Sequence, residues 1–391
     1  MAAVERAAGA ESEAPLPAAS DAPPRRLVSL DAIRGFLIAG MLIVNNPGSP
    51  DEVYSILQHA PWHGWRLVDL GFPAFLFIAG VSTVFAMSKG RERGNSRSWI
   101  WMRSLRRCVV LILLGLLVNA FPHFLDLENL RLPGVLQRIG ITYFIAASLL
   151  LFTNWRVQAG VAVLLLLLNW VLLTQVPVPG IGPGQLQPGQ DLGAHVDRTV
   201  LGTSHLYEWT RTWDPEGLLG TLNATVSVMS GVLAGLWIRS DRTPEQRMRG
   251  LAVFGVVLAV VGLLLDMVFP INKYLWTSTF VLLTSGIACS VFAIIWYVLD
   301  VRGFRKFTGP FVVFGVNAIA VYFVFGLLVK STEEFLFGPD KDIDIRYVLF
   351  ENIFAHVGSR QAGSALYAVA ITLLLWVCFR VLHRRGIVIR I

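Results

Sequence analysis

Ten separate apolar runs, each close to 20 residues long, dominate the chain. Wound as a helix at about 1.5 Å per residue, such a run matches the ~30 Å hydrocarbon layer of a bilayer. Lipid offers no water to an open backbone, so each run must close its hydrogen bonds on itself as a helix. The runs fall near residues 28–45, 68–88, 104–121, 134–152, 156–176, 217–238, 249–269, 275–298, 309–329 and 362–382. Charged residues make up 15% of the 391, against about 25% in a soluble domain. The expected fold class is all-α, a polytopic membrane bundle of about ten transmembrane helices.

The net charge of +7 would suit a nucleic-acid binder, but its placement says otherwise. Of the 33 Lys and Arg residues, 23 fall at the tail and loops that alternate to one side of the bundle. That asymmetry is the signature of cytoplasmic loops. It puts both termini in the cytoplasm and removes any reason to expect a nucleic-acid partner. Residues 1–24 are Ala/Pro/Glu-rich, have no apolar h-region, and are expected to be a disordered cytoplasmic tail. Residues 25–391 then form the membrane domain, with extracytoplasmic loops at 46–67, 177–216 and 330–361. Cys108, Cys289 and Cys378 sit in apolar runs and form no CxxC, so neither a disulfide framework nor a metal site is expected. The "GIGPG" stretch lacks a following Lys-Ser/Thr and is no phosphate loop.

The titratable groups are scarce and gathered. In "LQHAPWHGWRLVDLGFPAFLFIAG", His59 and His63 flank Pro61 and Trp62, and Asp69 opens the second run. Asn45 and Asn46 close the first run on the same side. Imidazole can take a proton from an attacking amine or hydroxyl. A carboxylate can fix its tautomer, and an amide can hydrogen-bond a carbonyl oxygen as it gains charge. Together these roles describe acyl transfer. The plainer reading is that His and Trp anchor the chain at the interface, and that Asp69 partners a helix N-terminus. Arg138 lies one turn inside the fourth run, where an arginine needs a cavity or a partner. The tail of the long loop adds His195, Asp197, His205, Trp209, Asp214 and Glu216. Asn223 and Asn317, inside spans, suit interhelical hydrogen bonds.

The stretches "RLVSLDAIRG", "HAPWHG", "VDLGFPAFLFIAG", "RLPGVLQRIGITYF", "DRTVLGTSHLY", "WDPEGLLGTLN" and "PINKYLWTSTF" recur in order from about residue 26 onward. As an ordered set they resemble the heparan-alpha-glucosaminide N-acetyltransferase family, transmembrane acetyltransferases with bacterial relatives. The resemblance implies that acetyl-CoA, a co-substrate reaching the protein from the cytoplasm, gives its acetyl group to the amine of a glucosamine across the membrane. It implies that His59 is the active-site histidine, Asn45 its polar partner, and Asp69 the acid at the head of the next span. A longer intervening loop leaves Asn46 as an alternative to Asn45. It also implies a homodimer within membrane lipid. Trp62, His63, Arg138, Asp214 and Glu216 are the candidates for holding the acceptor. Arg34, Arg103, Arg107 and Arg390 are the candidates for the CoA phosphates, since guanidinium matches phosphate in a bidentate fork; Arg34 could equally pair with Asp31.

Two departures stand out. His63 replaces an Asn usual in the animal enzyme, and the family's lysosomal luminal domain and leading span have no counterpart in the stretches read here. A small amino sugar or envelope glycan, at a bacterial inner membrane, is therefore the expected setting. His59 is expected to act as a general base, with an acetyl-imidazole as the alternative. An amino-sugar transporter and an O-acyltransferase of envelope glycans are the competing functions.

Overall fold

The structure, a computed structural model, describes residues 27–334, 336–337 and 343–389. The expected tail at 1–24 and the candidate Arg390 lie outside the described residues.

All ten apolar runs are helical. In chain order the helices are α1 (Val28–Val44), α2 (Gly71–Glu92), α3 (Arg97–Ala120), α4 (Val135–Phe152), α5 (Trp155–Gln175), α6 (Leu192–Leu201), α7 (Leu218–Ile238), α8 (Pro244–Leu265), α9 (Ser278–Trp296), α10 (Gly309–Val316), α11 (Ala318–Glu334), α12 (Ile345–Leu349) and α13 (Arg360–Arg384). Seven of them are long and apolar enough to cross a membrane, and α10 with α11 makes an eighth if that bent pair counts as one span. α1 has 17 residues and α3 carries Arg103, Arg106 and Arg107 in its first half, which is why neither meets the same measure. The β content of the described residues is a two-residue ribbon pairing Leu336–Phe337 with Ile343–Asp344.

Two features depart from the expected pattern. The ninth run is not continuous: it breaks at Asn317, and its halves α10 and α11 meet at 80°. The Asn317 side chain is buried, and its Oδ1 accepts the backbone N–H of Ile389 at 2.8 Å, so the chain past α13 folds back onto the break. The second departure is α6, a helix inside the long loop, capped by the Asp191 side chain on the Ala194 N–H. The glycines before it, Gly180, Gly182, Gly184 and Gly189, have positive φ and supply the turns expected there.

α7 is the most buried span and packs on α2 at backbone distance. A Cβ on Gly80 would lie 2.0 Å from the Val228 carbonyl oxygen, and one on Gly231 would lie 1.9 Å from that of Phe77. α1 and α10 meet in the same way through Gly35 and Gly315. In lipid, where burial of apolar surface between helices gains little, close contact of small residues is what holds spans together.

The helix ends sort into two rims. One is basic and ties together α1, α2, α7 and α9: Asp300 accepts the Val28 N–H at 2.8 Å, and Arg239 pairs with Glu92 at 3.3 Å. The other carries the 45–70 loop, the 176–217 loop and the 266–277 loop, and all the clustered acids and histidines.

Candidate active site

The 45–70 loop is folded around one carboxylate. Asp69 sits in a 3-10 turn just before α2. Its Oδ2 accepts the N–H of Arg66 at 2.8 Å and of Ala60 at 3.2 Å. That leaves Oδ1 for His59, whose Nδ1 lies 2.6 Å away. Asp69 is 1% exposed, while the His59 ring keeps 31% of its surface. A buried acid thus holds a half-buried imidazole by Nδ1, and the contact requires a proton between them.

The loop is pinned from the other side by residues 270–277. Gly64, at φ +90°, donates its N–H to the Ile271 carbonyl at 2.7 Å, and Tyr274 donates its hydroxyl to the Ala60 carbonyl at 3.2 Å. Between these two fastenings Lys273 reaches into the cluster. Its Nζ lies 3.3 Å from Asp69 Oδ1, 3.0 Å from His59 Nδ1 and 3.4 Å from His59 Nε2. Burial lowers the Lys273 amine below the ordinary lysine range, and the Asp69 charge opposes the shift.

A second cluster lies on the same rim. Arg131, just before α4, forks onto Asp214 through Nε at 2.9 Å and Nη2 at 2.7 Å, and Nη2 also reaches Glu216 at 2.6 Å. The Tyr207 ring covers the guanidinium at 4.6 Å. Burial works against the Arg131 charge, but its hydrogen bond to Asp214 and the charges of both acids override it and push its pKa above the ordinary value. Nearby, Asp197 of α6 is 2% exposed, and its Oδ1 accepts the Leu218 N–H that opens α7. Burial first, and then the charges of Asp214 and Asp191, raise Asp197 to about 7.

A cavity of about 860 Å³ links the two clusters. His59, Asn45, Lys273, Glu216 and Tyr322 line its end at the loop-bearing rim, called outer only for its place opposite the basic rim, and Phe304, Phe307 and Thr308 line the end at the basic rim. Along α1 it runs from Ala32 to Asn45, roughly 20 Å at the helical rise. Its middle is apolar, with Leu37, Met41, Ile78 and Ile295 among the walls.

The sequence-derived candidates separate on this geometry. His59, Asn45 and Glu216 share the cavity, and Asp69 touches it through His59. Asn46 is buried away from the cavity, which favours Asn45 of the two. Asp214 lies behind Glu216, fastened to Arg131. Trp62 and His63 flank the site without lining the cavity. Trp62 stacks on Tyr274 at 5.2 Å, meets Trp213 edge-on, and donates Nε1–H to the Leu186 carbonyl at 2.6 Å. His63 Nδ1 accepts from the Asn272 amide at 3.3 Å, and burial lowers its pKa, in keeping with a neutral acceptor.

Arg138 is 1% exposed and outside the cavity lining. Its Nε donates to Thr221 Oγ1 at 3.1 Å, one Nη donates to the Gly217 carbonyl at 3.2 Å, and the guanidinium covers the Trp276 ring at 4.8 Å. It fastens α4 to the start of α7. Arg34 binds Asp31 at 3.1 Å and Ser82 at 2.6 Å. Arg103 and Arg107 stand on α3 over the rings of Trp99 and Tyr143. None of these three arginines lines the cavity. The basic residues beside its inner mouth are Arg302, Arg305 and Lys306, in the loop that supplies Phe304 and Phe307. Lys273 and Arg131 are the two site residues that sequence reasoning missed, although both stand inside stretches singled out there, "PINKYLWTSTF" and "RLPGVLQRIGITYF".

Fold and site together define a helical membrane protein with a histidine–carboxylate pair at the outer end of a cavity that traverses the bundle. Residues 26–181 match the family model described as heparan-alpha-glucosaminide N-acetyltransferase, catalytic. The heparan-alpha-glucosaminide N-acetyltransferases of Mus musculus and Homo sapiens are 32% and 33% identical to this chain, in alignments 353 positions long that cover 76% of it. The chain spans about half the length of these curated relatives, 53% and 52% respectively. Over these residues the chain is similar to the heparan-alpha-glucosaminide N-acetyltransferases, the family its ordered motifs resemble.

Proposed function

We propose that the protein is a membrane N-acetyltransferase that moves the acetyl group of acetyl-CoA to the amine of a glucosamine-type sugar, with His59 as general base. The observation that carries this reading is the His59–Asp69 pair at the outer end of the traversing cavity. The names and catalytic-region match of the relatives support the acetyl-transfer chemistry.

In this reading the CoA phosphates lie at the basic rim, where Arg302, Arg305 and Lys306 stand, and the pantetheine arm runs up the apolar cavity. The thioester carbonyl then meets the acceptor beside His59. The neutral amine attacks the carbonyl carbon, His59 Nε2 takes the proton the nitrogen must lose, and as the C–S bond breaks the imidazolium gives that proton to the sulfur, releasing CoA as its thiol. Asp69 holds Nδ1–H and stabilises the imidazolium as it forms. Asn45 offers its amide to the developing oxyanion. Glu216 faces the cavity with its carboxylate and receives the acceptor's ammonium or hydroxyl groups. The basic rim is the cytoplasmic one on charge asymmetry, with ten crossings, a bacterial inner membrane as the setting and a homodimer as the assembly.

The test is release of free thiol from acetyl-CoA by the purified protein against a panel of amino sugars. Glucosamine is expected to support release and N-acetylglucosamine is not, and His59→Ala abolishes it. Release with N-acetylglucosamine alone would point to O-acylation. The helix break at Asn317 favours one alternative, a transporter, because such folds place discontinuous helices at the substrate site. Uptake of radiolabelled glucosamine into vesicles without thiol release would establish that alternative instead.

A further inference from the structure

His59 belongs to a three-membered cluster with an uneven charge balance: two bases, His59 and Lys273, share the single buried carboxylate of Asp69. Only one of the two can be neutralised by it. The Lys273 Nζ lies at comparable distance from both ring nitrogens, 3.0 and 3.4 Å, so the ammonium stands against the ring rather than on one lone pair. Nδ1 is already committed to Asp69 at 2.6 Å. A second proton on the ring would face the ammonium at 3.0–3.4 Å, beside a carboxylate that is itself buried. Among the described residues, no other cation is paired with the ring. The Arg66 guanidinium is drawn to the Ser55 carbonyl at 3.4 Å and Gln58 Oε1 at 3.1 Å, and His63 faces Asn272. From the remaining elements the cavity presents Glu216, Tyr322 and Asn45; Tyr274 turns its hydroxyl to Ala60.

We propose that Lys273 is a positioning residue, whose ammonium, shared with Asp69 and seated against the imidazole, holds His59 as the neutral Nδ1–H tautomer with Nε2 kept as the open base. The proposal rests on His59 being the base of the proposed reaction, and it adds a second determinant to the pair. A lysine is suited to this task because its charge is compact and its flexible stem lets the ammonium settle between the carboxylate and the ring.

The test reads the protonation of His59 directly. Diethyl pyrocarbonate acylates neutral imidazole, and mass spectrometry of the full chain in nanodiscs gives the labelling rate at His59 against pH. Replacing the ammonium by an isosteric apolar chain, Lys273→Met, is expected to raise the midpoint of His59 labelling by about one pH unit, tenfold in proton affinity. Lys273→Arg, which restores a cation, is expected to return the midpoint towards that of the parent. A midpoint that does not move, or that falls, in Lys273→Met overturns the proposal. Should Lys273→Met not yield folded protein, Lys273→Gln replaces it under the same criterion. If the protein releases no thiol with any amino sugar, the proposed reaction fails while the labelling midpoint still decides the role of Lys273. Where thiol release is seen, the acid limb of its pH profile is expected to shift with the labelling midpoint; a loss of rate with an unmoved limb marks a structural role only.

Discussion

Two ionic clusters share the outer rim, and they are built on opposite balances. Around Asp69 one acid serves two bases; around Arg131 one base serves two acids. The first leaves a basic nitrogen without full compensation at the cavity wall, which is what a proton-accepting site requires. The second is a fastening. Asp214 has no exposed side-chain surface, and Arg131 clamps it with a bidentate fork while the same guanidinium reaches Glu216. In the proposed reaction, clusters with similar composition and one address would divide the work: the first would take the proton, and the second would hold the loop that carries Glu216. The rule is that a titratable cluster should be judged by its ratio of acids to bases and by which member meets the cavity, before its distances are compared.

The contrast can be broken experimentally. The largest effect is expected at the first cluster: His59→Ala should reduce thiol release by about 10³-fold or more, with Asp69→Asn within about tenfold of it because the imidazole loses its tautomeric partner. If both variants keep most of their activity, the first cluster is not the reactive one. At the second cluster, Arg131→Ala should cost about 3–5 kcal/mol by stranding two acids, one of them fully buried, read as a lowered melting temperature in detergent. Intact stability there would mean that the fork is dispensable.

Asp197 sharpens the same comparison through pH. Its folded pKa is raised to about 7, whereas an unfolded aspartate titrates near ~3.9. Between those values the folded protein holds the proton and the unfolded chain does not, so this residue's contribution is fully present below the lower value and is lost as pH rises through about 7. Asp197→Asn should therefore flatten the decline of melting temperature between acid and neutral pH, an effect on the order of 4 kcal/mol. A decline of the same steepness would assign it to other groups. The smallest expected change is Glu216→Gln: about a tenfold rise in KM for glucosamine with kcat nearly kept, since a charge-assisted contact to an ammonium is weakened rather than removed. A fall in kcat alone would move Glu216 from holding the acceptor to the chemistry itself.

Much of this was legible in the residues. That the ten apolar runs are helical follows from run length and the hydrogen-bonding demand of lipid, and the pairing of His59 with a nearby carboxylate follows from their gathering at one span mouth. What escaped was direction. Trp62 and His63 are within four residues of His59, yet the loop turns them away from the cavity, because Leu186 and Asn272 claim their polar atoms. Lys273 arrives from 214 residues away, a contact that no local pattern encodes. Arg103 and Arg107 obey the charge asymmetry of the loops but stand on a helix remote from the cavity. The break at Asn317 escaped because the run on either side is apolar; the asparagine that interrupts it was expected to bond another span, and its Oδ1 instead takes the backbone N–H of Ile389, past α13.

That last contact has a practical corollary. Because the Ile389 amide closes the kink between α10 and α11, a purification handle or fluorescent fusion joined behind it would pull on a buried joint of the bundle. Ile389→Pro, which removes that N–H, should likewise loosen α10 before it disturbs any other span.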